Sequence, residues 1–336
     1  MIYVSNADSN EIYVMSLDDR TGAVDLVQKV PVPGTVMPLA ISPNRRFLYA
    51  SLRSAPFSVS TLAIDQATGR LSLLSSVPLP DNMAYLSTDK TGRFLLGASY
   101  MGDKISINPI SPQGVVEAEP VQVIPTSPHP HSIITDPSNR YLFAPSLGGD
   151  AILQFKFDQV TGRATPNAPP FVEARKGAGP RHIVFHPHGR FAYSTNELDA
   201  TVNAYGFDAA TGTLTQVGTA SALPPDFRGS APFSAADLHI TPDGRFLYAS
   251  ERASNSLAAF KLDVGTGAMA SIGSCPTETQ PRGFNIDPRG RYLLVVGQTS
   301  HSMTSYAIHP ETGMLTAQHR FSMGKNPNWV ESIDIP

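Results

Sequence analysis

The segment Ile240-Thr-Pro-Asp-Gly-Arg-Phe-Leu-Tyr248 decides the fold, because variants of it recur along the chain. Each copy contains the end of an apolar strand, a tight turn, and an arginine followed by an aromatic-rich strand. The other copies occupy residues 40–49, 86–95, 133–142, 184–193 and 285–293. Successive arginines lie 46 to 55 residues apart, at Arg46, Arg93, Arg140, Arg190, Arg245 and Arg291. A period of this length indicates a repeated unit of four short strands, as in the blade of a β-propeller.

A second repeated signal is a glycine in a tight turn, out of phase with the arginine segments. Glycine supplies the positive φ that tight hairpin turns need. The seven glycines are Gly22, Gly69, Gly114, Gly162, Gly212, Gly267 and Gly313. They number one more than the arginine segments, so one unit of the repeat is incomplete.

The two ends of the chain supply the missing unit. Residues 326–334 resemble a first strand, and Met1-Ile-Tyr-Val-Ser5 resembles the second strand of the same unit. Pairing them would close a ring and remove its open edges. The sequence therefore predicts an all-β, seven-bladed β-propeller, a single domain over residues 1–336, whose last blade is closed by the N- and C-terminal strands. A stacked β-solenoid is the alternative, but solenoids need atypical capping ends rather than complementary halves.

Composition restricts the partners. Charged residues make up 16% of the chain, the net charge is -3, and no long basic run occurs, which excludes the electrostatic footprint of a general nucleic-acid binder. The single cysteine, Cys275, excludes an internal disulfide framework and fits a reducing compartment. The N-terminus lacks a signal-peptide pattern, and no run approaches about 18 apolar residues. We therefore expect a cytoplasmic protein with no nucleic-acid or membrane partner; whether it is a monomer or a dimer stays open.

Candidate site residues are those that depart from the repeat on the strands that line the channel. Six residues before the turn proline or its equivalent, the blades carry Met37, Ala84, His131, Arg181, Ala236 and Arg282, with Asn328 aligned in the last blade. The next strand returns antiparallel to the same mouth, and its end carries Arg53, Tyr100, Leu147, Glu197, Arg252 and Gln298. One histidine, two arginines and one glutamate of these rings should converge, so His131, Arg181, Glu197 and Arg282 are the candidate catalytic residues.

A second set of residues is predicted to bind the substrate or to orient the catalytic side chains. It comprises His182, Asp237, Arg252, Gln298, Asn328 and Arg53. For His182, direct substrate contact and an orienting role remain equally open. Histidine and carboxylate spacings match no zinc or EF-hand pattern, and neither a phosphate-binding Gly-x-x-x-x-Gly-Lys loop nor a Gly-x-Ser-x-Gly elbow occurs. We expect no metal site and no cofactor.

Several motifs resemble the bacterial 6-phosphogluconolactonase family of propeller lactonases, which is related to the fungal 3-carboxymuconate-lactonizing enzymes. They are Gly177-Ala-Gly-Pro-Arg-His-Ile-Val-Phe-His-Pro187, Asn196-Glu197, Gln280-Pro-Arg-Gly-Phe-Asn285 and Gly297-Gln298. The resemblance implies a seven-bladed, metal-independent lactonase. It also matches the histidine, arginine, glutamate and arginine of the muconate branch to the four catalytic candidates.

Hydrolysis of a lactone needs donors for the carbonyl oxyanion and a base for the attacking water. Arg181 and Arg282 suit the first role or would clamp an anionic group of the substrate. Two arginines should depress the pKa of Glu197, so His131 is the expected base and Glu197 an orienting residue; the reverse assignment stays open.

The expected partner is a small-molecule lactone of carbohydrate metabolism, 6-phosphogluconolactone or a related aldonic or aldaric δ-lactone. Because the side chains of Met37 and Ala84 are apolar, a distal phosphate would have to be bound by Arg53, Arg252 or loop residues. The alternatives are a carboxymuconate-type lactonizing cycloisomerase and a non-catalytic propeller that binds protein partners.

Overall fold

The computed structural model describes residues 1–230 and 232–335. Within them, 28 strands form seven four-stranded antiparallel sheets. Blades 1 to 3 comprise β4 (Val36–Ile41), β5 (Phe47–Leu52), β6 (Ser58–Ile64) and β7 (Leu71–Pro78); β8 (Tyr85–Thr88), β9 (Phe94–Ser99), β10 (Lys104–Pro109) and β11 (Gln122–Pro125); and β12 (Ile134–Thr135), β13 (Tyr141–Ser146), β14 (Ala151–Asp158) and β15 (Arg163–Glu173).

The same order of strands continues through the second half of the chain. Blades 4 to 6 comprise β16 (Pro180–Phe185), β17 (Phe191–Asn196), β18 (Thr201–Asp208) and β19 (Thr213–Ser221); β20 (Ala235–Ile240), β21 (Phe246–Glu251), β22 (Ser256–Leu262) and β23 (Met269–Pro276); and β24 (Pro281–Ile286), β25 (Tyr292–Gly297), β26 (Ser302–Ile308) and β27 (Leu315–Ser322). Blade 7 is built from β28 (Pro327–Ser332), β1 (Ile2–Asn6), β2 (Glu11–Leu17) and β3 (Val24–Pro31), and a 3₁₀ turn (Ala7–Ser9) connects β1 to β2.

Blade 7 joins the two ends of the chain. The C-terminal β28 is its inner strand and pairs antiparallel with β1, from Ile2 opposite Ser332 to Ser5 opposite Trp329. The amino group of Met1 adds a 2.6 Å hydrogen bond to the carbonyl of Ile333. The predicted seven-bladed propeller with a last blade closed by both termini is confirmed.

The hydrophobic core is divided among the interfaces between blades. Seven clusters of buried apolar side chains each combine residues of two neighbouring blades. Tyr3 and Leu39, for example, share the cluster between blades 7 and 1, and Val4 and Leu294 share the one between blades 7 and 6. Followed in order, the clusters link every blade to the next and return to the first. Each sheet therefore buries both of its faces only inside the closed ring.

The two repeated sequence signals meet at these interfaces. In blade 3, Gly162 has φ +72°, and a Cβ placed there would overlap the ring of Phe94 in blade 2. Arg93, next to that phenylalanine, lies 5.9 Å from its ring and donates to the carbonyl of Gln159 in the same turn. The contact between the aromatic ring and the glycine turn repeats as Phe47 with Gly114, Tyr141 with Gly212, Phe191 with Gly267, Phe246 with Gly313, and Tyr292 with Gly22. The contacts of the arginine repeat at Arg140, Arg190 and Arg245. The glycine turn of one blade thus packs against the aromatic residue of the preceding blade, which explains why the two signals are out of phase.

Bulges in the inner strands position the site. The pairing of β16 with β17 matches Pro180 to Asn196 but shifts register before Ile183, so Arg181 lies in a bulge at the same end of blade 4 as Glu197. Equivalent shifts occur in β4, β20 and β24. A bulge bends the strand and re-aims the side chains within it. Consecutive residues, and not only alternate ones, can therefore contribute to the mouth of the channel.

Candidate active site

Four arginines, one glutamate and one histidine from five blades converge at the mouth. Arg53 comes from blade 1, His131 from blade 3, Arg181 and Glu197 from blade 4, Arg252 from blade 5 and Arg282 from blade 6. These groups lie close enough to influence one another: the charges of Arg181, Arg252, Arg53 and Glu197 affect the pKa of Arg282. The charges of Arg181 and Arg282 likewise affect the pKa of His131. The four predicted catalytic residues are thus brought together, and two of the predicted binding residues lie with them.

Glu197 connects two of these arginines. Its Oε2 lies 2.7 Å from Nε of Arg181, and its Oε1 lies 2.9 Å from Nη2 of Arg252. Burial on its own raises the pKa of Glu197, but the neighbouring Arg181, Arg252 and Arg282 outweigh it, so the pKa is lowered. Glu197 is therefore an ionised carboxylate whose two oxygens are both engaged, which makes it a poor proton acceptor at neutral pH.

Arg181 is held on several sides and is only 1% exposed. Besides its ion pair with Glu197, its Nη1 donates to the carbonyl of Ala236 at 2.7 Å and contacts Nε2 of His182 at 3.1 Å. Burial lowers the pKa of Arg181 to about 10, which leaves the side chain charged at neutral pH. Among the described residues, its Nη2 has no hydrogen-bond partner and remains available to a ligand.

Arg282 and Arg53 lack a carboxylate partner within residues 1–230 and 232–335. The Nε of Arg282 is buried without any hydrogen bond, and burial, followed by the charges of the other three arginines, lowers its pKa well below 12.5. Arg53 donates from Nε to Oδ1 of Asn82, and its Nη1 lies 3.1 Å from Sδ of Met37. Burial lowers its pKa as well. A buried charge without a partner is costly, so these two guanidinium groups favour the binding of an anion.

His131 supplies a neutral imidazole beside the arginines. It is 4% exposed, and its buried Nδ1 has no hydrogen-bond partner among the described residues. Burial lowers its pKa well below 6.5, and Arg181, His182 and Arg282 lower it further. The ring lies edge-on to Tyr100, with 5.6 Å between the centroids. A neutral imidazole with a ring nitrogen that no protein group engages can accept a proton, as a general base must, although its lowered pKa makes it a weaker base than a free histidine.

His182 and Asp237 lie behind this group and do not belong to its surface. His182 is 3% exposed, and its Nδ1 lies 2.9 Å from Oδ1 of Asp237 while its Nε2 faces Arg181. Both ring nitrogens are engaged by protein atoms. Of the two roles that the sequence left open for His182, this geometry favours orientation of a catalytic side chain over direct contact with a substrate.

The structure does not bring Gln298 or Asn328 into hydrogen-bonding contact with the catalytic candidates. Gln298 donates to Oδ1 of Asn326 at 2.9 Å. Asn328 is fully buried; its amide donates to the carbonyl of Asn326 at 3.0 Å and its Oδ1 accepts from Ser5 at 3.4 Å. These contacts stabilise the end of blade 7 and leave little capacity for a ligand.

Other residues near the channel were missed in the sequence. Asn82 carries no repeat signal, because it belongs to the irregular segment before β8. His239 and Glu331 could have been found, since they lie two residues beyond Asp237 and Trp329, which directly follow ring members, and period two returns a side chain to the same face. The aromatic rings of Tyr85 and Trp329 flank His182 at centroid distances of 5.0 and 5.9 Å.

Neither a metal cluster nor a membrane span is found in the part of the chain that the structure describes. No group of three or more histidine, cysteine, aspartate or glutamate side chains there could hold a metal ion. No helix there is long and apolar enough to cross a membrane.

The protein is thus a seven-bladed propeller whose channel mouth carries four arginine side chains and a neutral imidazole. The chain belongs to the lactonase family of seven-bladed β-propellers, because the family described as "Lactonase, 7-bladed beta-propeller" matches residues 2–332. A protein named 6-phosphogluconolactonase from Serratia proteamaculans is 42% identical over 333 residues, covering 99% of this chain and 98% of the relative. Another of that name, from Pectobacterium carotovorum, is 42% identical and covers 100% of this chain and 99% of its own.

Solved structures agree with the fold and family. The periplasmic gluconolactonase of Pseudomonas aeruginosa matches with a TM-score of 0.91 and 27% identity, covering 100% of both chains. A putative 6-phosphogluconolactonase from Bacteroides fragilis matches with a TM-score of 0.88 and 27% identity, covering 99% of this chain and 98% of that one. The first of these proteins is described as periplasmic, so the cytoplasmic location expected from the sequence stays a prediction.

Proposed function

We propose that this protein is a metal-independent lactonase that hydrolyses a phosphorylated sugar-acid lactone, 6-phosphogluconolactone, to the open-chain acid. The observation that carries the proposal is the excess of cationic groups at the mouth: Arg53, Arg181, Arg252 and Arg282 face a single ion-paired carboxylate, Glu197. A dianionic phosphate together with a developing oxyanion would neutralise this excess. The names of the relatives from Serratia and Pectobacterium support the same substrate.

In the proposed mechanism His131 acts as the base. Water attacks the lactone carbonyl carbon while His131 accepts one of its protons, and negative charge develops on the carbonyl oxygen. The ring C–O bond then breaks, and the departing ring oxygen takes the proton back from His131. The products are a carboxylic acid, which ionises at neutral pH, and a free hydroxyl group. The low pKa of His131 keeps it unprotonated and ready to accept.

Arg181 and Arg282 are proposed to stabilise the oxyanion. Nη2 of Arg181 and Nε of Arg282 are among the donors that form no hydrogen bond within the described residues. Because Arg181 is buried and Arg282 is half-buried, their electrostatic effect is less screened by water than at an exposed site. Glu197 keeps Arg181 and Arg252 in place, and its engaged oxygens argue against its serving as the base.

The distal phosphate is assigned to Arg53. Blades 1 and 4 lie on nearly opposite sides of a seven-membered ring, so Arg53 faces the mouth from across Arg181. Asn82 fixes Nε of Arg53, which leaves its terminal nitrogens to a ligand apart from the weak contact with the sulfur of Met37. The phosphate of 6-phosphogluconolactone would then lie at Arg53 while its lactone carbonyl lies beside Arg181.

A pH-indicator screen of aldono-, phosphoaldono- and aldarolactones tests the proposal, because each turnover releases a proton. We expect the highest kcat/KM with 6-phosphogluconolactone and unchanged rates after exhaustive treatment with EDTA. A preference for an unphosphorylated lactone would contradict the phosphate assignment, and activity that EDTA removes and zinc or calcium restores would contradict metal independence. Turnover of a carboxymuconate instead of every lactone would identify a cycloisomerase.

A non-catalytic scaffold would predict exposed aromatic patches. The exposed large apolar side chains of the described residues are dispersed over several blades, among them Leu26, Val123, Val217 and Met314, and include one phenylalanine, Phe171. Isolated apolar side chains of this kind are normal on a protein surface. The distinctive residues are instead buried, polar and axial, which favours a catalytic function.

A further inference from the structure

We infer that Asp237 is a positioning residue, which fixes the tautomer of His182 so that His182 in turn holds Arg181 in the geometry that the site requires. Three contacts form a continuous line: Arg181 Nη1 to His182 Nε2 at 3.1 Å, His182 Nδ1 to Asp237 Oδ1 at 2.9 Å, and Asp237 Oδ2 to His239 Nε2 at 3.2 Å. The consequence for Arg181 rests on the proposed function; the tautomer of His182 does not.

Donor and acceptor chemistry permits one arrangement. A guanidinium group only donates, so Nε2 of His182 must be the unprotonated, accepting nitrogen. The proton of a neutral imidazole then resides on Nδ1 and is donated to Asp237. If His182 carried its proton on Nε2, or on both nitrogens, an N–H would face the N–H of Arg181. Carboxylates set histidine tautomers in this way at other enzyme sites.

The carboxylate of Asp237 is itself fixed by groups of its own strand, β20, and of β24. Its Oδ1 accepts from the backbone N–H of Leu238 at 3.0 Å, and its Oδ2 accepts from His239 and from the backbone N–H of Phe284 at 3.3 Å. Asp237 therefore connects the inner strands of blades 4, 5 and 6, of which blades 4 and 6 carry Arg181 and Arg282. Burial on its own raises the pKa of Asp237, but His239 and His182 outweigh it, so the carboxylate stays ionised.

The surroundings keep His182 neutral. Burial and, after it, the charges of Arg181 and Arg282 lower its pKa to about 4, against the opposing effect of Asp237. Towards the channel it contacts the ring of His131 at a centroid distance of 5.2 Å and those of Tyr85 and Trp329. A cavity of about 40 Å³ adjoins His182. Its lining includes Tyr85 and Trp329 together with Asp237, His239 and Glu331. Burial raises the pKa of Glu331 to about 7, so this carboxyl group is only partly ionised at neutral pH.

Blades 4 and 5 differ from the other blades in the residue that follows the ring member, which is His182 in blade 4 and Asp237 in blade 5. The residues that follow the ring members in the other blades are Pro38, Tyr85, Ser132, Gly283 and Trp329. The fold therefore does not require a histidine or an aspartate at this position. The pair formed by His182 and Asp237 occurs beside Arg181, which is buried and ion-paired with Glu197. Nε of Arg181 lies 2.7 Å from Glu197 and its Nη1 contacts His182 and Ala236, which restricts the orientation of the guanidinium plane.

The first test is made on the wild-type protein labelled with ¹⁵N-histidine. We expect the His182 resonances at pH 7 to be those of a neutral ring protonated on Nδ1, and the His182→Gln spectrum assigns them by their absence. A His182 ring protonated on Nε2, or on both nitrogens, overturns the inference. Because this measurement needs no substrate, it remains decisive even if the protein hydrolyses no lactone.

The second test is kinetic. Asp237→Asn keeps the shape of the side chain but removes the charge that selects the tautomer, and we expect kcat/KM for the lactone to fall about 10- to 100-fold, mainly through kcat. Asp263→Asn is the matched control: it makes the same chemical change in the exposed turn between β22 and β23 of the same blade, and should retain nearly wild-type kcat/KM. Wild-type kinetics in Asp237→Asn, or an equal loss in both variants, overturns the inference. A wild type inactive on every lactone would refute the proposed function instead.

Discussion

At the scale of single residues, the chemistry of the mouth depends on which of its arginines pair with a carboxylate and which do not. Arg181 and Arg252 share Glu197, whereas Arg53 and Arg282 contact no carboxylate among the described residues. Counting positions in the repeat predicted which residues face the mouth but not which guanidinium contacts which carboxylate, because that depends on side-chain conformations. The inequality separates residues that hold the site together from those that await a charged ligand, and it makes their substitutions distinguishable.

Arg53→Ala should discriminate between phosphorylated and unphosphorylated lactones. A charge-assisted contact to phosphate contributes about 1.5 to 3 kcal/mol, so KM for 6-phosphogluconolactone should rise roughly 10- to 100-fold. The kinetics on glucono-δ-lactone should not change. Arg70→Ala is the control, because Arg70 is exposed at the glycine-turn end of the same blade. A similar loss on both lactones would indicate that Arg53 acts at the reacting centre.

His131→Asn should abolish the acidic limb of the pH dependence of kcat/KM. His131 must be neutral to accept a proton, and its pKa lies well below 6.5, so activity in the wild type should fall only as the pH drops below 6.5 and through that pKa. Glu197→Gln should lower the rate through disordered arginines but retain the limb. Loss of the limb in Glu197→Gln and its retention in His131→Asn would transfer the role of base to Glu197.

At the scale of secondary-structure elements, turns were predictable and bulges were not. Turn residues act locally: glycine at positive φ and the aspartate–glycine turns determine a hairpin wherever they occur, so the hairpins could be recognised in the sequence. A bulge such as the one at Arg181 depends on the pairing partner, and nothing in the sequence marks it. Its effect is to place Arg181 and His182 in one polar cluster, although strict alternation would have separated them.

Gly162→Ala tests the interface between glycine turns and aromatic residues. Alanine at φ +72° is strained, and its Cβ would overlap the ring of Phe94, so the variant should lose about 1 to 3 kcal/mol of stability. Gly218→Ala is the matched control: a Cβ there would have no atom within 4 Å, and its φ lies outside the left-handed region. Thermal denaturation should show a clear drop in Tm for the first variant only. Equal Tm values would mean that the turn adapts without affecting the neighbouring blade.

At the scale of the whole molecule, stability arises from closure. Within the described residues no blade has a core of its own, because each of the seven clusters found there is shared by two neighbours. The period of the repeat and its complementary ends were enough to predict this architecture, since both are properties of the complete sequence. The convergence of five blades on one site follows from the ring, as residues about 230 positions apart in sequence, such as Arg53 and Arg282, are brought to the same mouth.

If closure holds the ring together, removing the first two strands should unfold all of it. Deletion of residues 1–16 removes β1 and nearly all of β2, which leaves β28 without its neighbour and exposes the clusters that blade 7 shares with blades 1 and 6. We expect the truncated chain to lose cooperative unfolding in denaturant titrations followed by far-UV circular dichroism. A synthetic peptide of residues 1–17 should restore it, because the peptide supplies the two missing strands. The same peptide carrying Val4→Asp should not, because Val4 is fully buried between Tyr13 and Val330 in the closing pair of strands. A truncated protein that keeps its strand content and melts cooperatively without any peptide would show that six blades suffice and that the closing blade is dispensable.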